Sequence, residues 1–215
     1  LSHNIDSLSG VRFLYPYLSL RSEKELTREM LAFLNSEFGG FEKKQVAAAV
    51  AKAFRAYSRH MASTRAEGER AIRFARENGK RLMVLCGRPY HVDPEIGHGI
   101  DKLATSLDFA VVTEDAVAHL ASAPVRTKVL NQWTYHARLY NAARFVCEQE
   151  NAELVQLVSF GCGIDAITTD EVREILERGG KLYTQIKIDE ITNLGAVTIR
   201  LRSLIGALEQ QDKEV

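Results

Sequence analysis

Leu154-Val155-Gln156-Leu157-Val158 runs directly into Ser159-Phe160-Gly161-Cys162-Gly163-Ile164-Asp165, and a helical pattern follows. An apolar run, a glycine-flanked turn and then a helix is the repeating unit of a parallel sheet. Ligands and catalytic groups of open α/β sheets collect at the carboxyl ends of the strands, which is where this order puts Cys162. A second cysteine, Cys86, closes Leu82-Met83-Val84-Leu85 and opens Gly87-Arg88-Pro89-Tyr90-His91-Val92-Asp93-Pro94-Glu95. If both runs are parallel strands, the two thiols leave the sheet at the same edge.

Working outward, the grammar predicts strands near 81–86, 109–112, 153–159 and 181–188. Helices are predicted near 96–107, 128–150, 168–178 and 190–208. Thr168-Thr169-Asp170-Glu171 reads as a capping-box start, and Gly179-Gly180 as the matching stop. The last strand alternates Leu182, Thr184, Ile186 and Ile188 with Tyr183, Gln185 and Lys187, the pattern of a partly exposed edge. The expected fold is α/β: a flavodoxin-like, doubly wound parallel sheet of about four strands. Residues 1–78 form a mainly helical N-terminal region and 79–215 the α/β domain. In the helical region, Val46, Val50, Phe54, Tyr57 and Met61 make one apolar stripe, and Gly68 marks a break or bend.

The chain has 215 residues, 46% of them hydrophobic and 26% charged, enough apolar content for a sizeable core. Its 28 basic and 28 acidic residues cancel, so no global field favours nucleic acid or an anionic membrane. No apolar run is long enough to span a bilayer. Three cysteines, an odd number, argue against a disulfide framework and for a reducing, cytoplasmic setting. There is no Walker loop or GxGxxG, hence no nucleotide signature. Leu1-Ser2-His3 opens the chain without a methionine, and the expectation is a piece of a larger multidomain protein.

The residues read as facing a ligand are Arg88, Tyr90, His91, Asp93, His98, Thr113, Glu114, His136 and Asp165. Most belong to the dense polar loop after the first strand, stiffened by Pro89 and Pro94; an ordinary surface loop is the plainer alternative. His91 and Asp93 lack the spacing of a helical zinc motif. Asp115 is expected to cap the short helix after the second strand. Trp133, His136, Tyr140, Ala143 and Cys147 share one helix face and read as a buried stripe. At ~1.5 Å per residue Cys147 lies ~20–25 Å from the strand tips, so it is a core thiol and the last to be alkylated. Cys162, at a helix N-terminus, is expected to react first. The metal candidates are therefore Cys162 and, second, Cys86. Two thiols can assist a cluster shared with another domain, act as a redox pair, or simply pack.

Together, Gly87-Arg88-Pro89-Tyr90-His91, His98-Gly99-Ile100, Thr113-Glu114-Asp115, Trp133-Thr134-Tyr135-His136, Ser159 to Ala166 and Lys187-Ile188-Asp189-Glu190 resemble one known module. It is the uncharacterised module of large bacterial CoA-substrate-specific enzyme activases, related to 2-hydroxyglutaryl-CoA dehydratase, and the resemblance spans about residues 10–208. The resemblance implies neighbouring ATPase (activator) domains and dehydratase-like partners in an anaerobic bacterium. It also implies kinship with subunits that hold an iron–sulfur cluster through three cysteines and receive a low-potential electron on ATP hydrolysis. Cys162 matches such a ligand position, and Cys86 matches less well. Gly97 stands where the familiar loop has Asn, which removes one polar contact.

These departures argue against an autonomous dehydratase. Three functions stay open: an accessory redox or electron-transfer module of an ATP-dependent acyl-CoA dehydratase/activase system; a noncatalytic scaffold docking ATPase and dehydratase domains; and a small-molecule enzyme using His91, Asp93 and His98 for acid–base work.

Overall fold

The two apolar runs 82–85 and 154–158 become neighbouring strands. In a computed structural model, which describes residues 10–123, 125–128, 130–159, 163–188 and 194–214, β1 (Arg81–Cys86) lies between β2 (Phe109–Thr113) and β3 (Ala152–Val158). β4 (Tyr183–Lys187) completes the order β2-β1-β3-β4, and every pairing is parallel. This is the flavodoxin-like arrangement expected from strand–helix alternation. β3 is buried along its whole length, as a strand covered on both faces must be. At the edge, β4 buries Thr184 and Ile186 while Lys187 is exposed.

The chain divides into two compact units, Leu1–His60 and Met61–Val215. In the first, Ser22 caps α1 (Glu23–Glu37) by accepting the Glu25 N–H at 3.2 Å. Leu26, Val46 and Val50 form its core, with Met30, Leu31, Leu34 and Phe54 against them. The expected stripe ends there: Tyr57 is exposed.

α2 (Lys43–Glu77) is unbroken at Gly68. Within the second unit Gly68 permits a close approach instead, since a Cβ there would sit 2.7 Å from the Ala116 carbonyl oxygen. One face of the sheet carries Ala75 of α2, Ala116 of α4 (Glu114–Val117), α5 (Thr134–Cys147) and α6 (Gly163–Arg178). The other carries α3 (Ile100–Ser106) and α7 (Gly195–Glu214), through Ile100, Ala104, Val197, Leu201 and Leu204.

Three boundaries differ from expectation for local reasons. α3 starts at Ile100 because His98 (φ 49°) and Gly99 (φ 75°) are left-handed. α6 starts at Gly163, so Thr168 and Thr169 are interior. Their hydroxyls donate back to the Asp165 and Ala166 carbonyls at 3.1 and 2.9 Å rather than capping anything. α5 starts at Thr134, since the Lys128 N–H is held by the Glu171 carboxylate at 3.1 and 3.2 Å. Trp133 consequently precedes the helix and is 53% exposed, while Tyr140 and Ala143 of the same predicted stripe are buried.

Candidate functional site

β1 and β3 pair in register, Cys86 opposite Gln156, so the segments after both strands emerge side by side. After Cys86 the chain turns at Gly87 and enters a 3-10 turn, Pro89–Val92, that points His91 back into the protein, where it is fully buried. The imidazole occupies the space in front of Gly87: a Cβ there would lie 2.6 Å from His91 Nδ1 and 3.0 Å from the Leu157 carbonyl. Nδ1 faces the Arg88 N–H at 3.1 Å and the Leu157 carbonyl at 3.2 Å, and Nε2 is 3.1 Å from Ser159 Oγ. With Nδ1 accepting from Arg88, Nε2–H donates to Ser159; the other tautomer donates to Leu157 and accepts from the Ser159 hydroxyl. In both, His91 ties the loop after β1 to the loop after β3.

A second tie runs through charge. Arg88 Nε and Nη2 donate to Asp165 Oδ1 at 3.1 and 3.0 Å, while Asp165 Oδ2 accepts the Ser159 N–H at 2.9 Å. Asp165 sits in the first turn of α6, where a carboxylate also meets the positive end of the helix. Arg88 Nη1 donates to the Tyr90 hydroxyl at 3.3 Å. His136, at the start of α5, is held below the usual imidazole range by burial and the Arg88 charge, against the pull of Asp165.

Behind these residues lies a buried pair. Glu114, the first residue of α4, has its carboxyl pushed up to about 7, chiefly by burial and further by Asp115, against its backbone hydrogen bond and Arg138. Burial, with Glu114 adding to it, raises the Cys86 thiol well above the usual range. Asp115 does not cap α4. The N-cap is Thr113, whose hydroxyl donates to Asp115 Oδ1 at 2.5 Å, because the helix begins one residue earlier than the sequence suggested.

The predicted residues thus divide between two sides of the strand tips. Arg88, Tyr90, Asp165 and His136 gather toward α5 and α6, with Cys86 and Glu114 beneath. His91, Asp93 and Thr113 line a cleft of about 540 Å³ on the β2 side, with Leu85 and Leu157 at its floor. His98 is exposed and outside that lining. Cys162 lies outside the described residues, with Phe160 and Gly161. Cys147, half-buried at the far end of α5, directs its thiol to the Ile175 carbonyl at 3.5 Å.

Sequence reasoning passed over three participants. Ser159 was visible only as the first letter of a motif. Arg138 carries a buried Nε with no hydrogen-bond partner among the described residues, its guanidinium lying over the Tyr135 ring at 4.9 Å, and nothing in its spacing announced it. Tyr183 donates to Gln156 Oε1 at 3.1 Å, making a polar contact inside the sheet face that alternation assigned to edge packing.

The family model for the CoA enzyme activase uncharacterised domain matches residues 1–117. The chain belongs to this family. The match takes in β1, the polar loop and β2 as far as Val117, and therefore Cys86, Arg88 to His98, Thr113 and Glu114. No curated protein and no solved structure matches the chain. Among the described residues no helix is long and apolar enough to cross a membrane.

Proposed function

We propose that this CoA enzyme activase domain is an accessory redox module of an ATP-dependent acyl-CoA dehydratase/activase system, with Cys162 and Cys86 at an electron-entry site. The observation that carries the reading is the register of Cys86 with Gln156, one strand from the segment leading to Cys162. Cys86 is fully buried and would have to be uncovered to contribute to a shared iron–sulfur site. Two thiols fall short of the three or about four that hold a cubane cluster, so the remaining ligands come from an ATPase (activator) or dehydratase-like partner domain. A bound cluster would supply one-electron transfer. The protein's part is positional and protonic. Asp165, itself held by Arg88, and His91 hold Ser159, the first residue after β3. The Glu114 carboxyl, when protonated, removes the negative charge that opposes ionisation of Cys86. A metal's charge would favour the thiolate further.

Anaerobic reconstitution with iron and sulfide, alone and with the partner ATPase, followed by visible absorption and paramagnetic resonance, tests the reading. A cluster lost in Cys162→Ser and kept in Cys147→Ala supports it. The absence of any cluster with the partner present overturns it. The scaffold reading then takes over, favoured by the aromatic and aliphatic side chains that the first unit leaves to solvent: Tyr15, Tyr17 and Leu20.

A further inference from the structure

The outer edge of β4 lies at the floor of a groove. Ile188 donates its N–H to the Val158 carbonyl at 3.1 Å, which fixes the parity of the ladder between β3 and β4. The N–H and C=O groups of Tyr183 and Gln185 therefore point away from β3, and no other described strand pairs with them. Two adjoining clefts, of about 440 and about 400 Å³, follow this edge and share Gln185 and Arg200. Arg173 and Glu177 of α6 wall them on one side of the sheet, and Ala196, Val197 and Arg200 of α7 on the other. A slot of this kind is what an extended chain needs to add a strand.

Charge selects the chain. Among the described residues four cations line the two clefts, Arg173, Lys181, Lys187 and Arg200, against the single carboxylate of Glu177. Lys181 is spent locally, on the Glu150 and Ala152 carbonyls at 2.8 and 3.1 Å. Arg173 lies over the Tyr183 ring, and its ion-pair partner, the exposed Asp170, is 3.8 Å away. Arg200 is exposed and makes no hydrogen bond or ion pair among the described residues. Pairing β4 with β4 of a second copy would set these cations against their own images, which disfavours self-association.

We infer that this edge accepts an extended, acidic segment of a partner protein as a fifth strand. Backbone hydrogen bonds to Tyr183 and Gln185 hold the segment, and its carboxylates meet Arg200 and Arg173. The inference goes beyond the redox reading and does not depend on it, since Cys86 lines neither cleft.

The test is fluorescence anisotropy on the whole chain with a labelled short peptide alternating Glu and Val. A peptide alternating Lys and Val, and the acidic peptide fully N-methylated, are the controls. Expected is binding of the unmodified acidic peptide alone, weakening as salt rises, with the Tyr183 and Gln185 amides gaining protection from hydrogen exchange. Arg200→Glu should weaken it on the order of tenfold. Gln185→Pro removes one outward N–H while sparing the ladder to β3, and should weaken it too. Circular dichroism checks both folds. Equal binding of either control peptide, protection confined to other amides, or an affinity unchanged in Arg200→Glu would each overturn the inference. A chain that binds no acidic peptide, or a dimer in sedimentation that protects the same two amides, would do the same. None of these results bears on whether a cluster forms.

Discussion

Arg88 and Asp165 are separated by 77 positions in sequence, yet two guanidinium nitrogens converge on a single carboxylate oxygen at 3.1 and 3.0 Å. The other oxygen of Asp165 holds the Ser159 backbone, so one carboxylate fixes both segments that leave the central strands. Its side chain is nearly buried while that of Arg88 is more open, which makes the two deletions unequal. Arg88→Ala leaves an uncompensated carboxylate and should cost about 2–4 kcal/mol; replacing both residues by Ala should cost less than the two single changes added together. Urea denaturation of the four-member cycle reads the coupling. A coupling indistinguishable from zero would remove the pair as a tie between the loops.

Gly87→Ala should lower stability by about 2 kcal/mol or more, because its methyl meets both the His91 ring and the Leu157 carbonyl. Adding His91→Ala should recover only part of the loss, as the backbone carbonyl stays in place. Thermal melts of the single and double variants measure this; full recovery would show that the carbonyl can move aside.

The pH dependence follows from Glu114. Its carboxyl is raised from the ordinary 4.5 to about 7 in the folded protein, so the native state binds the proton more tightly than the unfolded chain. Its contribution is complete below the unfolded value and is lost as pH rises through about 7. The difference in unfolding free energy between pH 5 and pH 8 should therefore shrink in Glu114→Gln, by on the order of 2 kcal/mol. Comparing the two proteins cancels the parallel contribution of Glu153, whose burial raises it in the same direction. An unchanged slope would mean that Glu114 is not the group responsible.

Of the two described thiols, Cys86 should be alkylated after Cys147. Cys86 is fully buried and its thiol is pushed well up, whereas Cys147 is half-buried and raised less severely. This reverses the order expected from the helix face alone. Limited alkylation at neutral pH, read by mass spectrometry, decides it, and early labelling of Cys86 would contradict the burial described here.

The sheet was legible because strand signals are local: the runs 81–86 and 154–158 are apolar, bounded by turn residues and long enough for only one interpretation. The start of α6 was misjudged because threonine serves both as a cap and as a back-bonding interior residue, and sequence does not say which. The site was legible as a set of loops rather than as partnerships. Arg88 was visible and so was Asp165, but their pairing depends on a crossover between β1 and β3 that no spacing encodes. Arg138 shows the opposite limit. A buried guanidinium nitrogen is set by the depth of the helix it sits on, and that depth is decided by neighbours from elsewhere in the chain.

The ring of His91 standing where a side chain at position 87 would have to go has an evolutionary meaning. Position 87 cannot gain a side chain while the imidazole stands at 91. A methyl group at 87 would displace the imidazole at 91, and with it the link to Ser159, and would still press on the Leu157 carbonyl. The dependence is one-way: the imidazole needs glycine at 87, while glycine at 87 does not need the imidazole.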